Sequence, residues 1–315
     1  MSNLKQRIIK FQIKGSNGFY LDDLGHTSTT QARAQAKEDA CTTKKATSKL
    51  AIDLEIEKNA QVATTTATLQ LTGLTIEQLN PLTSEFNRFN YDYNQKHPSI
   101  QDWAATIDIQ VGYDSVIQPI FSGDVVIAEL RKGPPDLMLQ LTAMSNYFAR
   151  SQFDFVQLEA SLTFEAFANK VGEFLKVEKV ICQTDYNNQV ITNAGIGQAT
   201  GDQLLVELNL MFYPFVTAWI DNKTLYVMQL DTYHLDAEQG SPVLINEFLQ
   251  IPQYTERGAS FEVMYDPRIT VAKQVRLQSD LNPYPFNGQS FVLYLCKYAL
   301  STRNNQFKIQ CEAQL

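Results

Sequence analysis

From Lys49 to Lys58 the chain reads KLAIDLEIEK, and its apolar residues recur at every second position. Leu50, Ile52, Leu54 and Ile56 fall on one face of an extended strand, and Ala51, Asp53, Glu55 and Glu57 fall on the other. A helix would wind such a row around its axis, so only a half-buried strand keeps the two sets apart. The pattern repeats at Thr65–Thr72, where Ala67, Leu69 and Leu71 alternate with Thr66, Thr68, Gln70 and Thr72. The intervening Asn59–Thr64 suits a hairpin. Arg7–Lys14, Thr106–Tyr113, Pro119–Leu130 and Leu137–Met144 read as further strands, with a turn at Gly133-Pro134-Pro135. Strands at this spacing predict an antiparallel barrel or sandwich.

Polar stretches interrupt the pattern. Gly15–Ser48 is rich in Thr, Ala, Gln and Lys. It reads as an exposed arm or loop, with a helix over Gln31–Ala40 as the alternative, and as an interaction element rather than a core element. Thr75–Gln78 has capping-box spacing and opens a short helix that Pro81 limits. Asn87–Ser99 is a second polar loop.

The middle of the chain changes period. Phe164, Phe167, Ala168, Val171, Phe174 and Leu175 form one helical stripe behind Thr163 as N-cap. Strands follow at Val177–Gln183 and Gln189–Thr192. A second capping box, Thr200 to Gln203, opens a helix with the stripe Leu204, Leu205, Leu208, Met211 and Phe212. Phe215–Ile220 and Leu225–Leu230 then make a hairpin about Asp221-Asn222-Lys223. From Pro242 the alternating strands return, at Val243–Phe248, Ser260–Met264, Val271–Gln278, Gln289–Leu300 and Gln306–Ala313. Turns fall at Asp266-Pro267 and Asn287-Gly288. The predicted fold class is mainly β with an α+β insert: two antiparallel β-barrels plus a small α+β domain. The divisions are 1–148, carrying the polar arm 15–48, then 149–238 for the insert, and 239–315.

Composition narrows the function. Twenty-six Lys and Arg against 34 Asp and Glu leave a net charge of -8. Such a chain is repelled by a phosphate backbone rather than steered toward it. The cysteines, Cys41, Cys182, Cys296 and Cys311, are scattered and read as reduced, buried thiols. His26, His97 and His234 lie far apart and give no support to a zinc site or a catalytic triad. Met1–Gly15 lacks a signal-peptide core, and the most apolar window, Leu208–Ile220, is too short to span a bilayer. A soluble product without cofactor or metal is expected.

Four features suggest chemistry, and each has a plainer reading. Gly195-Ile-Gly197-Gln-Ala-Thr-Gly201, with Asp221 twenty residues beyond, superficially resembles a dinucleotide fingerprint. Its spacing has one residue too many, the flanks lack repeated βαβ units, and Asp221 falls in a hairpin turn. It is read as a flexible loop feeding a capped helix. Paired carboxylates could serve a glycosidase, but no particular pair stands out. The aromatic cluster Phe212, Tyr213, Phe215, Trp219 and Tyr226 is read as the core of the insert, not as a stacking platform. The acidic row Asp53, Glu55 and Glu57 has two readings: the wet face of a strand, or the wall of a channel through which a polyanion slides.

The order of these elements resembles a known family. Its opening is the paired alternating strands ending in Leu71-Thr-Gly-Leu74 and a helix with Glu77. The strand ending in Gly112-Tyr113 and the run Ile120-Phe-Ser-Gly123-Asp-Val125 follow. Leu162-Thr-Phe-Glu-Ala-Phe-Ala168 starts the middle domain. Then come Ile251-Pro-Gln-Tyr-Thr-Glu-Arg-Gly258, Tyr265-Asp-Pro-Arg268, Val275-Arg-Leu-Gln-Ser279, Asn287-Gly288 and Leu300-Ser-Thr-Arg303. Over about residues 46–315 the chain resembles the baseplate hub proteins of contractile phage tails, such as that of phage Mu. It departs from the pattern near Ala272-Lys273, where the family has a glycine, and in the arm 15–48.

The resemblance implies two tube-like barrels per chain in a homotrimer, giving a pseudo-sixfold ring between a hexameric tail tube and a trimeric spike. Its partners would be the tail tube protein, the spike protein, other baseplate proteins and the tape-measure protein. DNA would pass without specific binding, and nothing would insert into a membrane. The chain would be made in the host cytoplasm and end in the virion. Catalytic residues are not expected; the alternatives are a hub-associated peptidoglycan hydrolase or a β-rich cell-surface binding module. The channel lining would be Asp53, Glu55, Glu57, Thr66, Thr68 and Gln70, with Asp108 on a neighbouring strand.

Overall fold

A computed structural model describes residues 6–15, 20–23, 50–61, 64–75, 79, 105–114, 116–133, 136–157, 161–192, 196–235, 241–279, 286–304 and 306–315. The helix expected from Thr75, the loop Asn87–Ser99, the Pro-Pro turn and most of the arm 15–48 lie outside them. The chain is mainly β with a small helical insert. It divides into two units: 1–55 with 66–144 and 299–306, and 56–65 with 145–298 and 307–315.

Unit 1 is built on the period-two sequences. β1 (Arg7–Lys14), β2 (Tyr20–Asp22), β3 (Ala51–Asn59, its first five residues in this unit), β4 (Thr66–Thr72), β5 (Thr106–Tyr113), β6 (Val116–Gly133) and β7 (Asp136–Met144) are its strands. The order β4-β7-β6-β5-β1-β2 is antiparallel throughout. The core is the apolar half of each alternation: Ile9, Phe11 and Ile13 on β1, Ile52 and Leu54 on β3, Leu69 and Leu71 on β4, Leu139 and Leu141 on β7. β6 begins earlier and ends later than its sequence suggested. Pro119, which has no N–H, sits where the β5–β6 register shifts, and the shift spares the ladder a missing donor. A second shift after Val125 lets Val125 and Val126 both be buried.

Unit 2 contains the insert. α1 (Tyr147–Ser151) leads into β8 (Phe153–Gln157) and β9 (Ser161–Thr163); α2 (Phe164–Phe174), β10 (Lys179–Gln183), β11 (Val190–Thr192) and β12 (Ile196–Thr200) follow. α3 (Gly201–Met211), β13 (Thr217–Asp221) and β14 (Thr224–Met228) complete it. Thr163 accepts from the Ala166 N–H at 3.2 Å. Thr200 and Gln203 form the reciprocal capping box, at 2.8 and 3.2 Å. Both helices pack their stripes against the sheet β10-β14-β13, in which β10 runs parallel to β14. The Asn209 amide hooks α3 to β13, accepting from Ala218 N–H at 2.8 Å and donating to Ala218 O at 3.0 Å.

The segment expected to be a flexible loop before α3 is instead the strand β12, paired with β8. Gly201 is there for packing: a Cβ would lie 2.7 Å from Arg150 Cα. That accounts for the last glycine of the nucleotide-like motif without a nucleotide.

The remaining strands of unit 2 are β15 (Val243–Ile245), β16 (Gln250–Tyr254), β17 (Gly258–Met264), β18 (Gln274–Leu277), β19 (Ser290–Ser301, its last three residues in unit 1) and β20 (Phe307–Gln314). β16 was not visible as a strand, because Pro252 and its exposed Ile251 and Tyr254 break the alternation. Asp266 accepts from the Arg268 N–H at 2.9 Å, and Asn287 bridges Ser279 N–H and O, so both expected turns are present. At the departure noted above, Ala272 itself takes φ 62 and is buried. This is the left-handed conformation for which a glycine is suited.

Candidate functional surface

Cross-strand partners share a face, so the register of unit 1 assigns its polar side residue by residue. Thr66 faces Met144 on β7, Met144 faces Asp124 on β6, and Asp124 faces Thr106 on β5. Asp108 lies two residues along from Thr106. Thr66, Thr68, Gln70 and Asp108 therefore stand on one side of one sheet, opposite its apolar core. The three β4 side chains are half-buried.

On β3 the buried row is Ile52, Leu54 and Ile56, and Asp53 and Glu55 point the other way. The Ser301 hydroxyl donates to Asp53, whereas Glu55 is exposed. Glu57 belongs to unit 2, where Lys297 pairs with it at 3.3 Å. Asp108 accepts from the Ser122 hydroxyl at 2.7 Å and lies 3.5 Å from Lys14 Nζ.

The polar face of unit 1 is more mixed than the acidic row alone suggested. Lys10, Gln12 and Lys14 on β1 face Gln110, Asp108 and Thr106, and Arg131 on β6 pairs with Glu129 at 3.4 Å. Asp53, Glu55, Asp108, Asp124 and Glu129 thus share this side with three cations. The carboxylates retain the excess, and the row is densest on β3.

Lys58 continues the buried row of β3. Its Nζ donates to Asp221 Oδ2 at 2.7 Å, with both side chains nearly sealed from solvent. Asp221 was expected to serve the hairpin turn. The turn instead rests on Asn222 and Lys223, both at positive φ as a type I′ turn requires, and Asp221 is free to meet Lys58. Thr65 donates to Ile220 O at 3.1 Å, and Arg150 bonds Thr64 and pairs with Asp202 at 3.2 Å. This lock was legible in principle: the period of two that buries Ile56 also buries Lys58, and a buried cation needs an acid.

The aromatic cluster divides. Trp219 is buried and stacks on Tyr226 at 5.1 Å, and Phe212 is packed against the insert core. Tyr213 and Phe215 are exposed, contrary to the core reading. Burial pushes the Cys182 thiol up to about 12, helped by Glu165, and raises that of Cys311 well above the usual range. A nucleophilic cysteine needs the opposite shift. Among the described residues no group of His, Cys, Asp or Glu is placed to hold a metal ion. No helix among them is long and apolar enough to cross a membrane.

The comparison that decides identity is with families. The model of the family described as baseplate hub gp41 matches residues 35–313. The chain belongs to this baseplate hub family. It is a structural component of a phage tail, located in the baseplate of the virion. Solved structures agree at the level of fold. The 43 kDa tail protein of prophage MuSo2 from Shewanella oneidensis is 10% identical, with a TM-score of 0.54, covering 97% of each chain. A tail protein from Neisseria meningitidis MC58 is 9% identical with a TM-score of 0.52, over 97% of this chain and 96% of that one. The E. coli c3393 protein, a component of the type VI secretion system, is 9% identical with a TM-score of 0.51, over 84% of this chain and 73% of the other. No curated protein matches the hub chain.

Proposed function

We propose that this hub protein acts as a non-catalytic adaptor ring. Three copies, each contributing tube-like barrels from residues 1–148 and 239–315, would join a hexameric tail tube to a trimeric spike. Two similar units in each of three chains let one polypeptide meet both symmetries. The match to the hub family across residues 35–313 carries this reading. The insert 149–238 would face the other baseplate proteins. The tail tube, spike and tape-measure proteins are the remaining partners. The chain is made in the host cytoplasm and built into the virion there.

The polar face of unit 1 is the proposed lumen wall, with Asp53, Glu55, Thr66, Thr68, Gln70 and Asp108 on it, and Glu57 continuing the row. Support comes from its chemistry: hydroxyls, amides and an excess of carboxylates offer passing DNA no continuous cationic track. Changing Asp53, Glu55 and Glu57 together to Lys replaces that excess with positive charge. Glu55 is exposed and the Glu57–Lys297 pair lies half in solvent, so both contribute little to stability, and losing the bond from Ser301 to Asp53 costs about 2 kcal/mol, so the variant still assembles. Its particles eject DNA at least several-fold more slowly in a fluorescence ejection assay, and more so at low salt, where phosphate attraction is least screened. Wild-type ejection rates from normally assembled particles would show that the row is an ordinary wet face.

A further inference from the structure

α3 is apolar on two sides. Leu204, Leu205 and Leu208 are buried in the insert, but Val206 and Leu210, one turn apart on the opposite side, are 52% and 65% exposed. The Tyr213 N–H bonds back to Leu210 O, so the following turn carries the row onward. Tyr213 is 72% exposed and Phe215 is 54% exposed. Single exposed apolar residues need no explanation, but four large ones within ten residues of chain, two of them one turn apart on a helix, exceed ordinary scatter.

The charge around the patch says what covers it. From Gly201 to Asn222 the sequence contains Asp202, Glu207 and Asp221 and no Lys, Arg or His. Asp221 is committed to Lys58. Asp202 remains half exposed although it pairs with Arg150, and Glu207 is exposed. On α3 itself, the charged groups flanking the exposed apolar pair are therefore carboxylates only. A second copy docked face to face about a twofold axis would set these carboxylates against themselves, whereas a segment flanked by Lys or Arg meets them with the opposite sign.

We propose that Val206, Leu210, Tyr213 and Phe215 form a docking surface for an amphipathic segment of a different baseplate protein, one whose apolar side is flanked by Lys or Arg. Two aromatics beside a helical aliphatic pair match the usual anchors of such interfaces. The inference rests on the baseplate role, and the test separates the two. A photoreactive benzoylphenylalanine replaces Leu210 in phage-grown particles, and recovery of the chain in purified tails reports the baseplate role by itself. Irradiation then gives an adduct with one other tail protein at a segment bearing apolar residues and Lys or Arg. The same probe at Val190, exposed on β11, gives none. Val206→Glu with Leu210→Glu keeps the melting temperature of the purified protein but lowers the adduct, followed from Tyr213, by roughly tenfold or more. An adduct with this chain itself, an adduct with a segment lacking basic residues, or no adduct in tails that contain the chain would each overturn the proposal.

Discussion

Lys58→Ala destabilises unit 2 by about 3–5 kcal/mol, because it leaves the Asp221 carboxylate buried without its cation. The loss is large because the site has little else to offer: among the described residues Asp221 Oδ1 has no hydrogen-bond partner. Asp221→Ala costs a similar amount by stranding the ammonium. Lys58→Met combined with Asp221→Leu restores most of the stability, since an apolar pair of similar volume avoids the desolvation of both charges. Chemical denaturation of wild type, Lys58→Met, Asp221→Leu and the double variant closes the cycle. Additive losses in the double variant would show that the two groups act separately and that the ion pair is incidental.

Gly112→Ala should be nearly as damaging to unit 1, at about 3 kcal/mol, the upper end of the overpacking range. Gly112 pairs with Ile8 on β1 and Ile117 on β6, just before the left-handed Asp114. A Cβ there would overlap the Val116 carbonyl and lie 2.8 Å from Ile117 Cα. Both obstacles are backbone, so relief requires the β5–β6 turn to open, with loss of ladder bonds. The reading is checked by thermal unfolding and soluble yield. A melting point unchanged from wild type would mean that this turn is looser than its packing indicates.

These two sites mark how far the sequence could be read. The period-two runs at Arg7–Lys14 and Thr106–Tyr113 matched their strands to the residue, because Ile9, Phe11 and Ile13 on one and Ile107, Ile109 and Val111 on the other are buried at every second position. Capped helices were equally legible: Thr163 and Thr200 make the bonds their spacing implies. Short strands were not. β8 and β12 carry no clear alternation and exist because they pair with each other across some forty residues. The end of α2 was also hidden, since the chain leaves it through Lys176 at φ 54, with no glycine to announce the stop.

The candidate surface was partly legible for the same reason. Alternation placed Thr66, Thr68 and Gln70 on the polar side of β4, but it could not supply Lys10, Lys14 and Arg131. Those cations reach the same face only through strand register. Lys58 illustrates the converse. Its position was implied by the pattern, but its partner Asp221 is 163 residues away and no local signal connects them.

A reconstruction of purified tails at a resolution that traces strands tests the adaptor reading most directly. It should show three copies of this chain enclosing an open channel between the last tube ring and the spike, with β3 and β4 turning Asp53, Glu55, Thr66, Thr68 and Gln70 toward that channel. Copies placed at the baseplate periphery, a number other than three, or a channel walled by another protein would contradict it.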